Sequence, residues 1–301
     1  MIYNGSDLKN ISFPLGGIGT GCIGLAGNGE LIDWEIFNRP SKNTKNGYSH
    51  FSVSARTKND TVSRVLHSDT FENLSGVHEV GRHKGFGYGV RNSTLAGFPH
   101  FKDIAFDGSF PMARLSFIDD EFPAGITLTA FNPLIPHNAY DSSLPVAFFE
   151  WNIENTTDGV VEYSVALSAR NPSSASRNEE LNDTCGFTGI KLYTAEEKST
   201  ATSYFDITVL TDSKDSVAQE YWYRGGWMDS VTMYWNNFTK LDRMPKRHYD
   251  TVGNLDHCTL ASYITLQPHS SGKVRFVIAW NAPNQYNYWS PCLDENGEHK
   301  P

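Results

Sequence analysis

Ile18-Gly-Thr-Gly-Cys-Ile-Gly-Leu-Ala-Gly-Asn-Gly-Glu-Leu-Ile-Asp-Trp-Glu-Ile-Phe-Asn-Arg-Pro40 decides how this chain is read. Asn28-Gly29 is a strong hairpin signal, because a two-residue type I′ turn needs φ > 0 at both central positions. With the turn centred there, Ile23 opposes Trp34, Gly21 opposes Ile36, Cys22 opposes Glu35, Gly24 opposes Asp33 and Thr20 opposes Phe37. Alternation then puts Ile32, Trp34 and Ile36 on a face turned to a core, and Asp33 and Glu35 on the other. Glycines on the facing strand keep it low, so bulky or charged groups can sit over it. The same run holds a formal G-x-G-x-x-G, Gly19 to Gly24. A dinucleotide loop needs a strand before it and a helix opening on it. Here Pro14 precedes and a hairpin strand follows, so the run reads as β structure.

Working outward, short β runs punctuated by turns dominate. They are Phe51–Ala55, Ala113–Ile118, Gly125–Phe131, Val146–Ile153, Val160–Leu167, Gly189–Tyr193, Tyr204–Leu210, Thr259–Leu266 and Lys273–Trp280. Many such runs, with Gly, Asn, Asp and Pro between them, predict an all-β fold. The expected architecture is a large, mostly antiparallel β-sandwich with one short amphipathic helix. The helix is expected over Gly226–Thr239, where Trp227, Val231, Tyr234, Trp235 and Phe238 recur at helical spacing. That aromatic face either packs on a sheet or docks on another domain. Arg64 to Gly97 is polar and Gly-rich, and reads as a long excursion over one edge of the sandwich.

At 301 residues the chain can bury a substantial core. The formal net charge of −9, with no basic run, argues against nucleic acid as a partner. No apolar stretch nears the roughly 18 residues of a membrane span. The N-terminal Met1-Ile-Tyr-Asn-Gly-Ser-Asp7 lacks the basic-then-apolar pattern of a signal peptide. Cys22, Cys185, Cys258 and Cys292 form no C-x-x-C pair, so reduced thiols in a cytoplasmic protein are expected. The sequons at Asn73 and Asn155 then read as ordinary β surface. His78-Glu-Val-Gly-Arg-His83 is one residue too long for H-E-x-x-H and carries Gly81 inside the required helix. Asp294-Glu-Asn-Gly297 lacks the spacing of a calcium loop and reads as a turn. Neither a metal nor a cofactor is expected. Trp222, Trp227, Trp235, Trp280, Trp289, Tyr286 and Tyr288 supply either core packing, the larger share, or platforms for sugar rings.

Several phrases recur in an order that resembles a known family. They are Ile11-Ser-Phe-Pro-Leu-Gly-Gly-Ile-Gly-Thr-Gly21, Asp33-Trp-Glu-Ile-Phe-Asn-Arg-Pro40, Gly97-Phe-Pro99, Gly108-Ser-Phe-Pro111, Phe131-Asn-Pro-Leu-Ile-Pro136, Asp141-Ser-Ser-Leu-Pro145 and Phe276-Val-Ile-Ala-Trp-Asn-Ala-Pro283. Together they look like the N-terminal domain of glycoside hydrolase family 116, the non-lysosomal glucosylceramidases and their microbial β-glucosidase relatives. The resemblance implies a β-sandwich joined to a C-terminal (α/α)6 helical barrel that carries a Glu nucleophile and an Asp acid/base. On that basis residues 1–285 are the sandwich, and 286–301 start a linker to a barrel absent from this chain. The implied partners are that barrel and, through it, a glycoside. The alternatives are a free-standing carbohydrate-binding sandwich and a purely structural domain.

Asp33 and Glu35 invite comparison with a catalytic carboxylate pair. Their Cα atoms at i and i+2 lie roughly 6.5–7 Å apart on one strand face, near the carboxyl spacing of about 5–5.5 Å in retaining glycosidases. Neighbours on one strand approach a sugar bond from one side, however, so no catalytic residue is assigned. Asp33, Glu35 and Arg39 are instead expected at an edge facing the barrel, pairing with it or rimming its substrate pocket. Internal salt bridges that fix the hairpin are the alternative.

Overall fold

The computed structural model describes residues 1–68, 92–195, 200–227, 229–286 and 289–300. In chain order its strands are β1 (Ile2–Tyr3), β2 (Ser12–Leu15), β3 (Cys22–Ala26), β4 (Leu31–Glu35), β5 (His50–Arg56), β6 (Thr61–Val65), β7 (Asp103–Ser109), β8 (Met112–Ile118) and β9 (Ala124–Phe131). After a short helix α1 (Ala139–Ser142) come β10 (Val146–Asn155), β11 (Val161–Arg170), β12 (Ser176–Thr184), β13 (Phe187–Thr194), β14 (Asp206–Thr211) and β15 (Ser216–Gln219). Helix α2 (Asp229–Lys240) precedes β16 (His257–Leu266) and β17 (Ser271–Asn281).

A nine-stranded sheet runs β1-β7-β8-β9-β10-β17-β14-β13-β12, and a five-stranded sheet runs β15-β16-β11-β5-β6. Every pairing between named strands is antiparallel. The fold is thus the all-β sandwich that the alternating runs predict. In β9 and in β10 every second side chain is buried, as a strand with one wet face requires. Phe51 of β5 meets Phe149, Trp151 and Phe276 of the opposite sheet at 5.0, 5.1 and 5.6 Å. Each fully buried ring of this kind contributes about 2–3 kcal/mol of transfer free energy. That makes this layer the main source of stability.

The outer face of the five-stranded sheet is covered by α2. Val231, Tyr234 and Phe238 are buried with Ala166, Ala261 and Tyr263 of the sheet, so the aromatic stripe packs on a sheet. Trp235 stacks on Phe98 at 4.6 Å. Trp227 departs from the expected stripe. It precedes the helix at φ +51 and is 99% exposed.

Strand β12, Ser-Arg-Asn-Glu-Glu-Leu-Asn-Asp-Thr, carries no apolar alternation, and it is an edge strand of the nine-stranded sheet. Charged and polar residues at an edge discourage pairing with other chains, and the same residues hide the strand from pattern reading. Of the excursion expected over Arg64–Gly97, 69–91 lies outside the described residues, and with it Asn73 and the His78–His83 motif. Leu95 beyond it is buried in the cluster under α2.

Strands β2-β3-β4 form a third sheet whose Leu15, Ile23, Leu25, Leu31 and Trp34 belong to the main core cluster. Asn132, from the β9–β10 loop, receives the Gly16 N–H and donates to the Pro14 carbonyl at 2.9 Å. This pins the opening hairpin to the nine-stranded sheet.

Candidate functional site

The hairpin at Asn28-Gly29 exists, but its turn is not the two-residue form. Gly29 N–H donates to the Ala26 carbonyl and Ala26 N–H donates to the Glu30 carbonyl, both at 2.9 Å. The loop is therefore Gly27-Asn28-Gly29, with Gly29 alone of the three at positive φ (+88). This is the three-residue loop closed by a glycine bulge. Asn28 instead turns its side-chain oxygen to the Glu30 N–H. The register near the tip consequently moves by one: Gly24 faces Ile32 and Leu25 faces Leu31.

A second irregularity restores the expected register. Asp33 adopts φ +50 and donates its N–H to the Thr44 carbonyl, out of the ladder. Beyond it Cys22 opposes Glu35, as the sequence predicts. One extra residue on β4 is a bulge, and bulges re-aim side chains. Leu31 joins Trp34 and Ile36 in the core, and Ile32 is only half-buried. The expected Ile32-Trp34-Ile36 face is corrected accordingly.

The bulge turns the Asp33 carboxylate into a closed setting. Asp33 is buried, accepts from Ser12 Oγ at 2.8 Å and from the Asn43 N–H at 2.7 Å, and lies 3.6 Å from Lys42 Nζ. Glu35 pairs with Lys42 at 2.7 Å and accepts from the Ser41 N–H and the Cys22 thiol. The Lys42 hydrogen bond holds the Glu35 carboxyl below its ordinary range and raises Lys42. Burial, then the Glu35 charge, pushes the Cys22 thiol up. The two carboxylates thus converge on one ammonium instead of facing each other across a gap. A retaining hydrolase needs its pair free to flank a sugar bond.

Arg39 is not part of this cluster. The strand continues through Phe37 to an exposed Arg39, which lines a cleft of about 350 Å³ with Pro172, Tyr204, Phe205, Gln285 and Tyr286 among others. Three side-chain bonds hold the walls together. Asn38 Nδ2 donates to the Ala282 carbonyl at 2.8 Å, Asn284 Nδ2 to Ala201 at 3.1 Å and Gln285 Nε2 to Thr202 at 3.4 Å. The loop at Gly17–Gly21 reaches the same end, since Trp280 Nε1 donates to the Thr20 carbonyl and Ile18 N–H to Ser142. Ile18, Ile135, Leu144 and Tyr140 lie exposed there, Tyr140 at 85%. The sequence flags Arg39 but not the cleft. Its walls come from segments more than 200 residues apart: the β14–β17 register sets 202–205 beside 282–286, and the Asn38–Ala282 hydrogen bond ties the end of the hairpin to them.

Gly19–Gly24 runs into strand β3, with no helix opening on it. Asp294 accepts from the Asn296 and Glu298 N–H groups around Gly297, which makes that segment a turn. Among the described residues, no three His, Cys, Asp or Glu side chains are placed to hold a metal ion.

Two solved structures with similar chain traces are a putative kojibiose phosphorylase from the human microbiome and a polysaccharide lyase. The first is 11% identical, with TM-score 0.34, and is matched over 62% of this chain and 20% of its own. The second is 9% identical, with TM-score 0.34, and is matched over 85% of this chain and 29% of its own. The chain therefore spans less than a third of either protein. The family model described as beta-glucosidase 2, glycosyl-hydrolase family 116 N-term, matches residues 12–293, and the chain belongs to that family.

Proposed function

We propose that this chain is the non-catalytic β-sandwich module of a retaining β-glucosidase- or glucosylceramidase-like hydrolase, and that its loop end seats a helical-barrel catalytic domain. The family match over residues 12–293 carries this reading. The loop end supports the placement: exposed Ile18, Ile135, Leu144 and Tyr140 beside Arg39 have the mixed apolar and polar character of an interface. In this reading residues 1–285 form the sandwich and 286–301 begin the connection to the barrel. Arg39 and Glu35 face the barrel or rim its pocket, and Asp33 acts behind them by fixing the bulge. The substrate is a glycoside held by the barrel, with no cofactor required. Work in the cytoplasm fits the four free cysteines. No helix among the described residues is long and apolar enough to cross a membrane.

The test is turnover of an aryl β-glucoside by the chain alone and joined to a family 116 barrel. The chain alone should be inactive, because the carboxylates that flank the sugar bond belong to the barrel. In the joined protein Arg39→Ala and Glu35→Ala should lower turnover while leaving the thermal midpoint of the isolated chain in place. Full turnover in both variants would sink the interface role. Turnover by the isolated chain, abolished in Asp33→Asn, would move the chemistry into this domain.

A further inference from the structure

The cleft beside Arg39 has the chemistry of a ligand site in its own right. Its rings are Phe37, Tyr204, Phe205 and Tyr286, and its polar groups include Thr202, Ser203 and Gln285. Among the described residues of its lining, Arg39 is the single charged one. Arg39 makes no hydrogen bond or ion pair with any described residue, although carboxylates exceed cations by nine in the whole chain. The rings are held in place. Phe37 meets Phe205 edge-on at 5.1 Å, and Tyr286 meets His299 edge-on at 5.8 Å while remaining 49% exposed. Tyr204 donates its hydroxyl to Asp206 at 3.0 Å. With the walls pinned by Asn38, Asn284 and Gln285, little ordering is left for a ligand to impose.

A ligand complementary to this lining needs an apolar face to lie on a ring and a rim of oxygens to meet hydroxyl, amide and guanidinium groups. A pyranose ring has both: its C–H face suits an aromatic ring, and its adjacent oxygens suit the planar donor fork of arginine. A nucleotide or polyphosphate fits poorly, because the described lining supplies one cation, no glycine-rich loop and no helix N-terminus. A purely apolar ligand would bury the guanidinium unpaired, at a cost of several kcal/mol. The volume of about 350 Å³ lies at the small end of the range for ligand pockets, enough for one or two rings.

We propose that this cleft binds a short saccharide directly, so that the β-sandwich itself contacts carbohydrate. The inference is separable from the docking role, because it concerns the 301-residue chain without a partner. The experiment is a titration of that chain with cellobiose, xylobiose and a glucuronic-acid-containing disaccharide, followed by calorimetry and by aromatic proton shifts. Saturable binding is expected for at least one sugar. Tyr286→Ala and Arg39→Ala should weaken it by about tenfold or more, the loss expected for removing an aromatic or arginine anchor. Tyr286→Phe should retain it. Trp227→Ala, which removes an exposed ring outside the cleft, should leave it unchanged. Preference for the uronate would place its carboxylate on Arg39, and preference for a neutral sugar would place a hydroxyl pair there. No saturable binding to any of the three sugars would overturn the proposal, as would binding indifferent to both alanine variants. Either result would leave the turnover test of the joined protein standing.

Discussion

The surface under α2 and the loop end of the sandwich are built from the same residue types, yet one is closed and the other open. Under α2, Trp222 stacks on Tyr234 at 4.3 Å and on His257 at 4.8 Å, and Tyr48 packs against Trp222 and His257. The polar tips find partners: Trp222 Nε1 donates to Thr259 at 2.7 Å, Tyr234 donates to Ser52 at 3.2 Å, and His257 Nε2 accepts from the Tyr48 N–H at 3.1 Å. At the loop end Tyr286 and Tyr140 show much of their surface, and Arg39 points into a cleft. Aromatic rings stabilise the fold in the first setting, where water is excluded. In the second they remain free for a ligand or a partner. Composition is blind to this difference; satisfaction of the polar tips and burial of the rings decide it.

The comparison breaks first at its tyrosines. Tyr234→Ala should destabilise the isolated chain by about 3–5 kcal/mol, since it opens a cavity between α2 and the sheet and strips a stacked ring from Trp222. Tyr286→Ala should stay within about 0.5 kcal/mol, as surface substitutions do. Urea unfolding of both variants measures the contrast. Equal losses would mean that the loop end is as structural as the helix side.

Acid should act on the closed side next. His50 and His67 are buried, with ring centroids 6.3 Å apart, and His67 meets His100 at 6.1 Å. His50 donates its Nδ1–H to the Tyr48 carbonyl, but among the described residues its Nε2 and both His67 nitrogens have no hydrogen-bond partner. Burial pushes His50 down to about 4, His257 to about 3 and His67 well below its ordinary value. The neighbouring charges add to the effect, His100 and Lys45 at His67 and Arg170 at His257. In the unfolded chain these imidazoles titrate near 6.5. Above about pH 6.5 both states are neutral and no stability is lost. Below it the unfolded chain takes up protons that the folded chain refuses, so stability falls from pH 6.5 toward pH 4. For His50 alone the full span is on the order of 3 kcal/mol. Urea midpoints at pH 7 and pH 5 check the slope. His67→Leu should flatten the slope and cost little at pH 7, because it removes nitrogens that already lack partners. An unchanged slope in that variant would exclude His67 as a source.

What could be read beforehand follows the range of the interactions involved. Alternation is local, so the strands Phe51–Ala55, Gly125–Phe131 and Lys273–Trp280 were legible within a residue or two, and with them the sandwich. The helix was legible from Val231, Tyr234 and Phe238, whereas Trp227 shares their spacing but lies before the first turn. The hairpin was legible at Asn28-Gly29, but its loop length was not. Gly27 packs so closely on Leu8, and Gly29 on the Leu66 carbonyl, that tertiary contacts select the three-residue form. The bulge at Asp33 depends on Thr44 and Asn43, whose approach no local pattern announces. The sequence therefore pointed to Asp33, Glu35 and Arg39 as a group. The structure divides them into a buried carboxylate, a half-buried carboxylate paired with Lys42 and an exposed guanidinium.

That division predicts graded losses along the hairpin. Asp33→Ala leaves Ser12 Oγ and the Asn43 N–H without their acceptor and places alanine at φ +50. A loss of about 2–3 kcal/mol is expected. Asp33→Asn keeps an acceptor and tolerates the left-handed backbone, so it should lose about half as much. Asp33→Gly relieves the backbone but not the hydrogen bonds, and should fall between them. Thermal melts of the three variants give the order, and a glycine variant as stable as the original would assign the whole effect to φ.

The smallest effect is expected at Glu35, where closed and open sides meet. Its partner Lys42 has a side chain 64% exposed. A pair so placed is screened by water and salt and is worth below about 1 kcal/mol. The Glu35 carboxyl lies below its ordinary range in the folded chain, chiefly through the Lys42 hydrogen bond. Its contribution is therefore present above the unfolded carboxyl value and fades as pH falls through the folded one. Glu35→Gln should remove that fraction near neutral pH and leave acid stability nearly untouched. The substitution should matter more when a barrel domain covers the loop end, because excluding water strengthens every charge interaction beneath it. The measurement is the ratio of two losses, one in stability for the chain alone and one in turnover for the joined protein. A large loss of stability with no loss of turnover would make Glu35 a brace of the hairpin, equivalent to Asp33, and would remove it from the open side.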